Sequence, residues 1–338
     1  MIFTDLLQGK TLEKPPIWIM RQAGRYLPEY REVRKSADNF ICFCLTPEKA
    51  CEVTLQPIRR YNFDASIIFS DILLVPHAMG REVKFIPGTG PVLEKLSDIK
   101  ELTLPDHKDF LNFLAPVSEA VKRTRAELPE KTALIGFSGA PWTLMTYIVE
   151  GGGSRDFNAS RDWLWSQPEQ SEKLLRYLAE YVVSFLTLQA QAGANVLMLF
   201  DSWAGAVPAS RRQSIIIDLH NQVIRDLRAN NIDLPILSFP KGLSEGLQDY
   251  SDQVDIQGLG LDHYVDRYWA ARHLRSNLIL QGNLDPMCLV AGGDQLKSEV
   301  EDILECFSGR RHIFNLGHGI VPQTPPEHVA ELLALVRA

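Results

Sequence analysis

The stretch Pro16-Ile17-Trp18-Ile19-Met20-Arg21-Gln22 joins a short apolar segment directly to an arginine and a glutamine. The apolar segment is typical of a buried strand, and the polar residues begin where that strand should end. Arginine carries a permanent charge and a five-donor fork, which suits ligands rich in carboxylates or phosphates. A solvated surface loop is the alternative explanation for such a charge cluster. The stretch therefore predicts a buried strand whose carboxyl end offers binding groups.

Seven more apolar runs of this kind follow, each bounded by Gly, Pro, Ser or Asp. The eight predicted strands are Pro16–Met20, Ala65–Phe69, Ala133–Phe137, Asn195–Phe200, Pro235–Phe239, Asp255–Leu259, Leu278–Gln281 and His312–Asn315. Segments with helical apolar spacing lie between them, among them Pro47–Tyr61, Glu172–Ala192, Ser210–Asn230, Leu296–Phe307 and Pro326–Val336. Alternating strands and helices indicate parallel strands joined by crossover helices.

Eight such units predict an α/β fold, a single-domain (β/α)₈ TIM-type barrel over residues 1–338. An open doubly wound sheet is the alternative, but no glycine-rich phosphate loop follows the first strand. The glycines at 151–153 predict a flexible loop near the mouth of the barrel, because no strand directly precedes them. The segment Arg81–Leu93 predicts a β-hairpin insertion after the second strand.

Composition excludes several classes of protein. The chain has 338 residues, of which 45% are hydrophobic and 23% charged, as in ordinary globular proteins that bury a large core. Five cysteines without a framework spacing argue against a secreted disulfide scaffold. The N-terminus has no secretory or transit pattern, and no segment approaches the ~20 apolar residues of a membrane span. We therefore expect a cytoplasmic protein that has no membrane partner.

The net charge of −7 argues against a nucleic-acid partner, which requires an extended basic surface. It does not exclude one compact anionic ligand, because the arginines after Met20 raise the local cation density against the sign of the whole chain.

Polar residues follow most of the predicted strands. Barrel active sites lie at the carboxyl ends of the strands. Here those ends hold Arg21-Gln22, Ser70-Asp71, Ser138-Gly139, Asp201-Ser202, Lys241, Gln281-Gly282-Asn283 and Gly317-His318. A purely structural barrel has no need to collect carboxylate, guanidinium, hydroxyl, amide and imidazole groups on one face. The pattern predicts an active site there.

Asp71 is the most informative of these residues because it lies inside an almost wholly apolar run, from Ser66 to Pro76. A buried carboxylate without a partner is costly, and such groups usually mark a functional site. A helix N-cap is the structural alternative, since Asp and Ser are good caps.

Six motifs resemble the uroporphyrinogen decarboxylase family. In chain order they are Met20–Tyr30, Leu55–Arg60, Phe69–Leu73, Pro141–Tyr147, Gln281–Pro286 and Asn315–Gly319. The resemblance runs nearly end to end, and several long motifs in the right order make chance a poor explanation. One departure is His263, which follows Gly260-Leu261-Asp262 where many relatives would have tryptophan.

The resemblance implies a carboxy-lyase that converts the four acetate side chains of uroporphyrinogen III to methyl groups, giving coproporphyrinogen III in haem and tetrapyrrole biosynthesis. It also implies a homodimer. The implied catalytic residues are Asp71, Arg21 and Tyr147. The implied substrate-binding residues are Arg21, Gln22, Arg25, Arg34, Asp71, Tyr147, Phe200, Ser202 and His318.

The resemblance suggests roles for most of these residues. The arginines would meet acetates and propionates, Gln22 a carboxylate or water, and His318 a propionate, with glycines on both sides that let the backbone pass close to a ligand. Phe200 would pack against the macrocycle. A solvated helix is the alternative for Arg34, and a core tyrosine for Tyr147.

The implied chemistry needs neither cofactor nor metal. Loss of carbon dioxide from an acetate leaves a carbanion-like carbon, and protonation of the adjacent pyrrole carbon makes the ring its own electron sink. A central carboxylate that accepts hydrogen bonds from the pyrrole N–H groups would stabilise that cation. The proton donor stays open between an arginine, whose pKa lies above ~12, and a bound water.

Two other functions are alternatives. A zinc-dependent corrinoid methyltransferase of the same superfamily needs soft ligands, typically a His-x-Cys pair and a later cysteine, and the chain has no His-x-Cys. A non-catalytic tetrapyrrole-binding protein needs an axial ligand above an apolar slot and has little use for a central aspartate.

Overall fold

The structure, a computed structural model, describes residues 1–338. Its strands are β1 (Ala65–Ile67), β2 (Val83–Ile86), β3 (Gly90–Leu93), β4 (Ala133–Gly139), β5 (Val196–Asp201), β6 (Ile236–Pro240), β7 (Gly258–Gly260), β8 (Ile279–Gln281) and β9 (His312–Ile313). Its helices are α1 (Ile2–Leu7), α2 (Pro28–Lys35), α3 (Phe40–Cys44), α4 (Pro47–Tyr61), α5 (Leu74–Ala78), α6 (His107–Glu127), α7 (Pro141–Glu150), α8 (Asn158–Ser166), α9 (Pro168–Gln191), α10 (Asp218–Ala229), α11 (Leu247–Gln253), α12 (Arg267–His273), α13 (Pro286–Ala291), α14 (Gly293–Cys306) and α15 (Pro326–Arg337).

Seven strands form one parallel sheet in the order β1-β4-β5-β6-β7-β8-β9. Spatial order follows chain order, as in a (β/α)₈ barrel, where each crossover passes along the outside of the sheet. Seven of the eight predicted strands are confirmed. Their side chains and those of the surrounding helices share one hydrophobic core of 104 buried residues.

The eighth place in the barrel is filled by Pro16–Met20, where the prediction of a regular strand is wrong. Only Ile17 forms a β-bridge, to Phe314 just after β9. The Phe314 amide donates to the Pro16 carbonyl at 2.9 Å, and on the other side the Asp64 amide donates to the Ile17 carbonyl at 3.0 Å. The segment therefore still closes the ring between β9 and β1.

The segment is not a regular strand because three of its amides donate to side-chain oxygens and not to backbone carbonyls of the adjacent strands. The amides of Ile17, Ile19 and Met20 donate to the side chains of Asp64, Gln22 and Asn315, at 2.9, 3.1 and 3.0 Å. Amides that are satisfied in this way cannot form a regular ladder with the adjacent strands.

The predicted hairpin insertion is confirmed, because β2 and β3 pair antiparallel after β1 and α5. The hairpin is anchored to the end of α7: Val92 forms a bridge with Gly152, and the Leu93 amide donates to the Gly151 carbonyl at 3.0 Å. The glycines at 151–153 therefore begin a loop that packs against the hairpin.

The helix predicted over Pro47–Tyr61 has the observed bounds of α4. The one predicted over Ser210–Asn230 begins as a π-helical turn, Gln213–Ile217, and continues as α10. None of the helices combines the length and the apolar character that a passage through a bilayer requires.

Candidate active site

A cavity of about 990 Å³ opens at the carboxyl ends of the barrel strands. Seven of the predicted site residues line it together: Arg21, Arg25, Arg34, Asp71, Phe200, Ser202 and His318. Its wall also includes the hairpin turn from Phe85 to Pro91, which sequence reasoning did not assign to the site. One feature of the sequence could have indicated this: the hairpin insertion carries two neighbouring apolar residues, Phe85 and Ile86, and the Ile86 side chain is 46% exposed. Large cavities with apolar walls and a few charged groups are typical small-molecule sites.

A second cavity, of about 460 Å³, lies at the amino ends of the strands and contains none of the predicted site residues. The cations on its wall are already bound by backbone: Lys14 Nζ donates to the carbonyls of Arg337 and Ala338, and Arg310 donates to that of Ala271. The 990 Å³ cavity is therefore the candidate active site.

Asp71 lies in the turn between β1 and α5. Its Oδ1 accepts a hydrogen bond from the Leu73 amide at 2.8 Å, while α5 has Leu73 at its N-cap position. Asp71 is therefore not the helix cap, and its second oxygen has no protein partner. Protein surrounds the carboxyl except where the cavity opens. Burial raises its pKa to about 6, although the Leu73 hydrogen bond and the Arg21 charge both lower it.

Arg21 occupies a tight turn at the end of the Pro16–Met20 segment. The turn is closed by the Gln22 amide, which donates to the Ile19 carbonyl at 2.9 Å. Arg21 itself has a φ of 64°, in the left-handed region that side chains other than glycine seldom adopt. Such strain is concentrated at functional sites, where the surrounding structure enforces it. Here it directs the guanidinium to the cavity wall.

Gln22 is placed differently from its neighbour. Its side chain is completely buried, with Oε1 accepting from the Ile19 amide and Nε2 donating to the Ala65 carbonyl at 3.2 Å. It does not line the cavity. Both ends of the Gln22 amide bond to protein around the turn that carries Arg21, so the structure gives Gln22 a supporting position and not a place at the cavity surface.

The cavity is rich in positive charge. Arg21, Arg25 and Arg34 line it with Asp71 as their one acidic neighbour, and no carboxylate forms a salt bridge with any of the three. Arg34 is the most constrained, because one of its nitrogens donates to the Ala37 carbonyl at 2.9 Å and its guanidinium lies 5.6 Å from the centre of the Phe43 ring. Unpaired guanidiniums around a cavity suit a ligand with several carboxylates.

Tyr147 lies on α7 and is half-buried, and it is not one of the residues that line the cavity. Burial raises the pKa of its hydroxyl, and so does the negative charge of Asp71. Its ring centre is 6.2 Å from that of Trp203. The structure therefore places Tyr147 within the electrostatic range of Asp71.

His318 is an uncharged group in the cavity wall. Burial and the charges of Arg21, Lys241 and His263 lower its pKa to about 3. The imidazole is therefore neutral at physiological pH and can accept or donate one hydrogen bond.

The glycines on both sides of His318 approach other parts of the protein. A Cβ on Gly317 would collide with the backbone of His263, and one on Gly319 would collide with the side chain of Arg21. The glycines therefore allow the loop to pack tightly against its neighbours, and the expectation that they let the backbone pass close to a ligand stays a prediction.

The structure contains no group of three His, Cys, Asp or Glu side chains arranged to hold a metal ion. All five cysteines are free.

Comparisons with known proteins identify the family of the chain. The family described as "Uroporphyrinogen decarboxylase (URO-D)" matches residues 2–338. A uroporphyrinogen decarboxylase from Rhodospirillum rubrum is 44% identical over 99% of this chain and 97% of its own length. One from Granulibacter bethesdensis is 46% identical over 98% of this chain and 97% of its own length.

Among solved structures, a methyltransferase from Methanosarcina mazei superposes with a TM-score of 0.81 over 99% of this chain and 97% of its own. Its sequence identity is 20%, so the likeness concerns the barrel fold alone. The family match and the high identity to full-length relatives decide the assignment. The chain belongs to the uroporphyrinogen decarboxylase family.

Proposed function

We propose that the protein is a carboxy-lyase that decarboxylates the four acetate side chains of uroporphyrinogen III to give coproporphyrinogen III in haem biosynthesis. The observation that carries the proposal is Asp71, the one acidic residue of a large cavity whose other formal charges are three unpaired arginines. This arrangement fits a substrate with an anionic periphery and a centre of N–H donors. Family membership supplies the identity of that substrate.

The periphery and the centre of the substrate meet different groups. Arg21, Arg25 and Arg34 bind acetates and propionates through charge-assisted hydrogen bonds. His318, neutral at physiological pH, adds a hydrogen bond to a propionate. The free oxygen of Asp71 accepts from the pyrrole N–H groups, which a non-aromatic porphyrinogen can turn to one side.

Three further residues complete the proposed substrate contacts. Phe200 lies against the macrocycle, Ser202 supplies a hydroxyl at the wall, and Tyr147 hydrogen-bonds a carboxylate near Asp71. Gln22 acts indirectly in this scheme, by holding the turn of Arg21, because its side chain is buried and both ends of its amide bond to protein.

Each decarboxylation consumes one proton. A proton adds to the pyrrole carbon beside the acetate-bearing carbon, so the ring becomes a cation. The bond between the acetate CH₂ and its carboxylate breaks, and carbon dioxide leaves. The electron pair of that bond forms an exocyclic double bond, which neutralises the ring. A second proton converts the exocyclic CH₂ to a methyl group, and the ring carbon releases the first. Asp71 stabilises the cation by charge and hydrogen bonding in a site of low dielectric.

We also propose that the chain acts in the cytoplasm as one domain over residues 1–338 and assembles as a homodimer with the cavity mouths near the interface. The family resemblance supports the dimer. Sedimentation at micromolar concentration tests it, and a monomer over that whole range would contradict it.

The activity itself is tested by anaerobic incubation of the purified protein with uroporphyrinogen III. Chromatography that resolves products by carboxylate number should show the seven-, six- and five-carboxylate intermediates and then the four-carboxylate product. The variant Asp71→Asn is the matched control for non-enzymatic loss of carbon dioxide. Tight binding of tetrapyrrole without conversion would instead indicate a binding protein.

A further inference from the structure

Asp201 lies at the end of β5, between the two cavity residues Phe200 and Ser202, yet its own side chain is completely buried. Its Oδ1 accepts a hydrogen bond from Thr143 Oγ1 at 2.6 Å. Thr143 belongs to the first turn of α7 and is also completely buried. A buried carboxylate is costly unless hydrogen bonds satisfy it, so this pair is a specific connection between the strand end and the helix.

The same hydroxyl makes a second connection. While it donates to Asp201, Thr143 Oγ1 accepts from the Trp203 amide at 3.1 Å. The neighbouring side chain on α7, Trp142, donates from Nε1 to the Trp203 carbonyl at 2.9 Å. Both backbone groups of Trp203 are therefore held by the first turn of α7. Ser202 lies between Asp201 and Trp203, which are each fixed to that turn.

Behind Asp201 a short polar chain continues between the sheet and the outer helices α10 and α11. His220 Nε2 lies 3.2 Å from Asp201 Oδ2, and His220 Nδ1 lies 2.7 Å from Tyr250 Oη, which is 2.6 Å from Ser238 Oγ. Neither Asp201 Oδ2 nor His220 Nε2 has a regular hydrogen-bond partner. Thr143 therefore provides the only regular hydrogen bond of the Asp201 carboxylate, with the imidazole packed on its other side.

We propose that Thr143 and Asp201 are positioning residues that set the Ser202 hydroxyl at the cavity wall and tie it to α7, the helix of Tyr147. The inference rests on the proposed function, because Ser202 acts only on a bound substrate. Neither Thr143 nor Asp201 lines the cavity, and each exerts its effect through Ser202.

The experiment removes the side-chain hydroxyl at Thr143 and, as a control, at Thr146. Thr143→Val keeps the shape but removes both connections, whereas Thr143→Ser keeps the hydroxyl and should restore most activity. Thr146→Val is the control, because the Thr146 hydroxyl is equally buried on the same helix but donates only to the Thr143 carbonyl. We expect Thr143→Val to lower kcat/KM about tenfold, the effect of a lost hydrogen bond, and Thr146→Val to leave it within about twofold.

A double-mutant cycle separates positioning from general loss of stability. If Thr143 acts through Ser202, Thr143→Val should have little further effect in a Ser202→Ala background. Additive losses in the double variant would overturn the inference. A fully active Ser202→Ala variant would instead remove the proposed substrate contact, and with it the functional role of the connection.

A measurement without substrate separates a failure of the structural connection from a failure of the proposed Ser202 contact. The chain has six tryptophans, so labelling with 5-fluorotryptophan gives few ¹⁹F signals, and Trp203→Phe identifies that of Trp203. This signal should shift or broaden in Thr143→Val and stay in place in Thr146→Val. An unmoved signal in Thr143→Val would show that the connection does not hold the segment.

Asp201→Asn tests whether Asp201 works by position or by charge. Asparagine retains an oxygen that accepts from Thr143, so we expect a loss of less than about tenfold. A fall of about 10²-fold or more with an unmoved Trp203 signal would overturn the positioning role, because it would show that the charge of Asp201 supports the reaction directly.

Discussion

Arg21 and Asp71 line the same cavity with opposite charges, yet no salt bridge joins them. The Arg21 charge lowers the pKa of Asp71, but burial raises it more. A salt bridge would have consumed both groups and left little to bind a ligand. Because they stay apart, the guanidinium remains available for an anionic substituent and the carboxylate for a cationic ring. In the proposed function, this separation leaves each group free for a different part of the porphyrinogen.

The first prediction concerns the charge of Asp71. Asp71→Asn keeps the volume but removes the charge and replaces one acceptor with a donor. The first decarboxylation should slow by ~10²–10³-fold, the usual cost of removing a preorganised electrostatic group. Asp71→Glu should retain more activity, since the charge survives in a displaced position. Single-turnover chromatography measures both, and a nearly fully active, folded Asp71→Asn protein would refute the assignment.

The second prediction is that Asp71→Asn raises the free energy of unfolding although it lowers activity. The folded-state pKa of about 6 lies above the ordinary value of 3.8, so between these values the folded protein binds more protons than the unfolded chain. The free energy of unfolding therefore falls as pH rises through that window. Asp71→Asn should be more stable than the parent at pH 7, by about 1–3 kcal/mol. Urea titrations should show this difference shrinking towards zero as the pH falls below about 4. A parent protein that is more stable than Asp71→Asn at pH 7 would contradict the prediction.

A third prediction concerns cofactors. In the proposed mechanism the protonated pyrrole is its own electron sink, so activity should survive exhaustive dialysis against a chelator, and the purified protein should contain no chromophore. The measurement is the decarboxylation rate before and after dialysis. Restoration of lost activity by zinc or by an organic cofactor would disprove this mechanism.

Periodicity predicted seven barrel strands because each is a continuous apolar run bounded by turn residues. It also predicted a regular strand at Pro16–Met20, where the apolar pattern is just as clear, but that segment forms only a single β-bridge. The difference arises because the amides of that segment bond to the side chains of Asp64, Gln22 and Asn315. Hydrophobicity reports burial, and it does not report which acceptor satisfies a buried amide.

The candidate site shows the same limit. Strand-end position and family motifs indicated Asp71, Arg21 and His318, and the structure brings all three to one cavity. The same motif included Gln22, whose neighbouring position suggested a substrate contact, but its amide is used within the protein. The hairpin wall was missed because its approach to the site depends on long-range anchoring at Gly151 and Gly152.

The fourth prediction compares two arginines. Arg21→Lys should lose about 2 kcal/mol or more of transition-state stabilisation, because a point charge replaces a bidentate fork. Arg34→Lys should be milder, since part of the Arg34 donor set is already bound to the Ala37 carbonyl. The ratio of kcat/KM values gives both energies. Small and equal effects would show that the arginines contribute only a diffuse positive field.

The last prediction uses the two glycines that flank His318. A Cβ at position 319 would lie 2.8 Å from Arg21 Cγ and 2.9 Å from its Nε, so Gly319→Ala should displace a flexible side chain. A Cβ at position 317 would meet the backbone nitrogen of His263, which has far less freedom to move. We therefore expect the two alanine variants to fail in different ways.

Gly319→Ala should lower kcat/KM about tenfold or more, approaching the effect of Arg21→Lys, with the midpoint of unfolding nearly unchanged. Gly317→Ala should lose about 1–3 kcal/mol of stability through overpacking. Thermal unfolding and steady-state kinetics on both variants measure the contrast. In a double variant with Arg21→Lys, Gly319→Ala should add little, because both changes act on the same side chain. If Gly319→Ala is instead unfolded, or fully active, then the close approach of this loop does not control the position of Arg21.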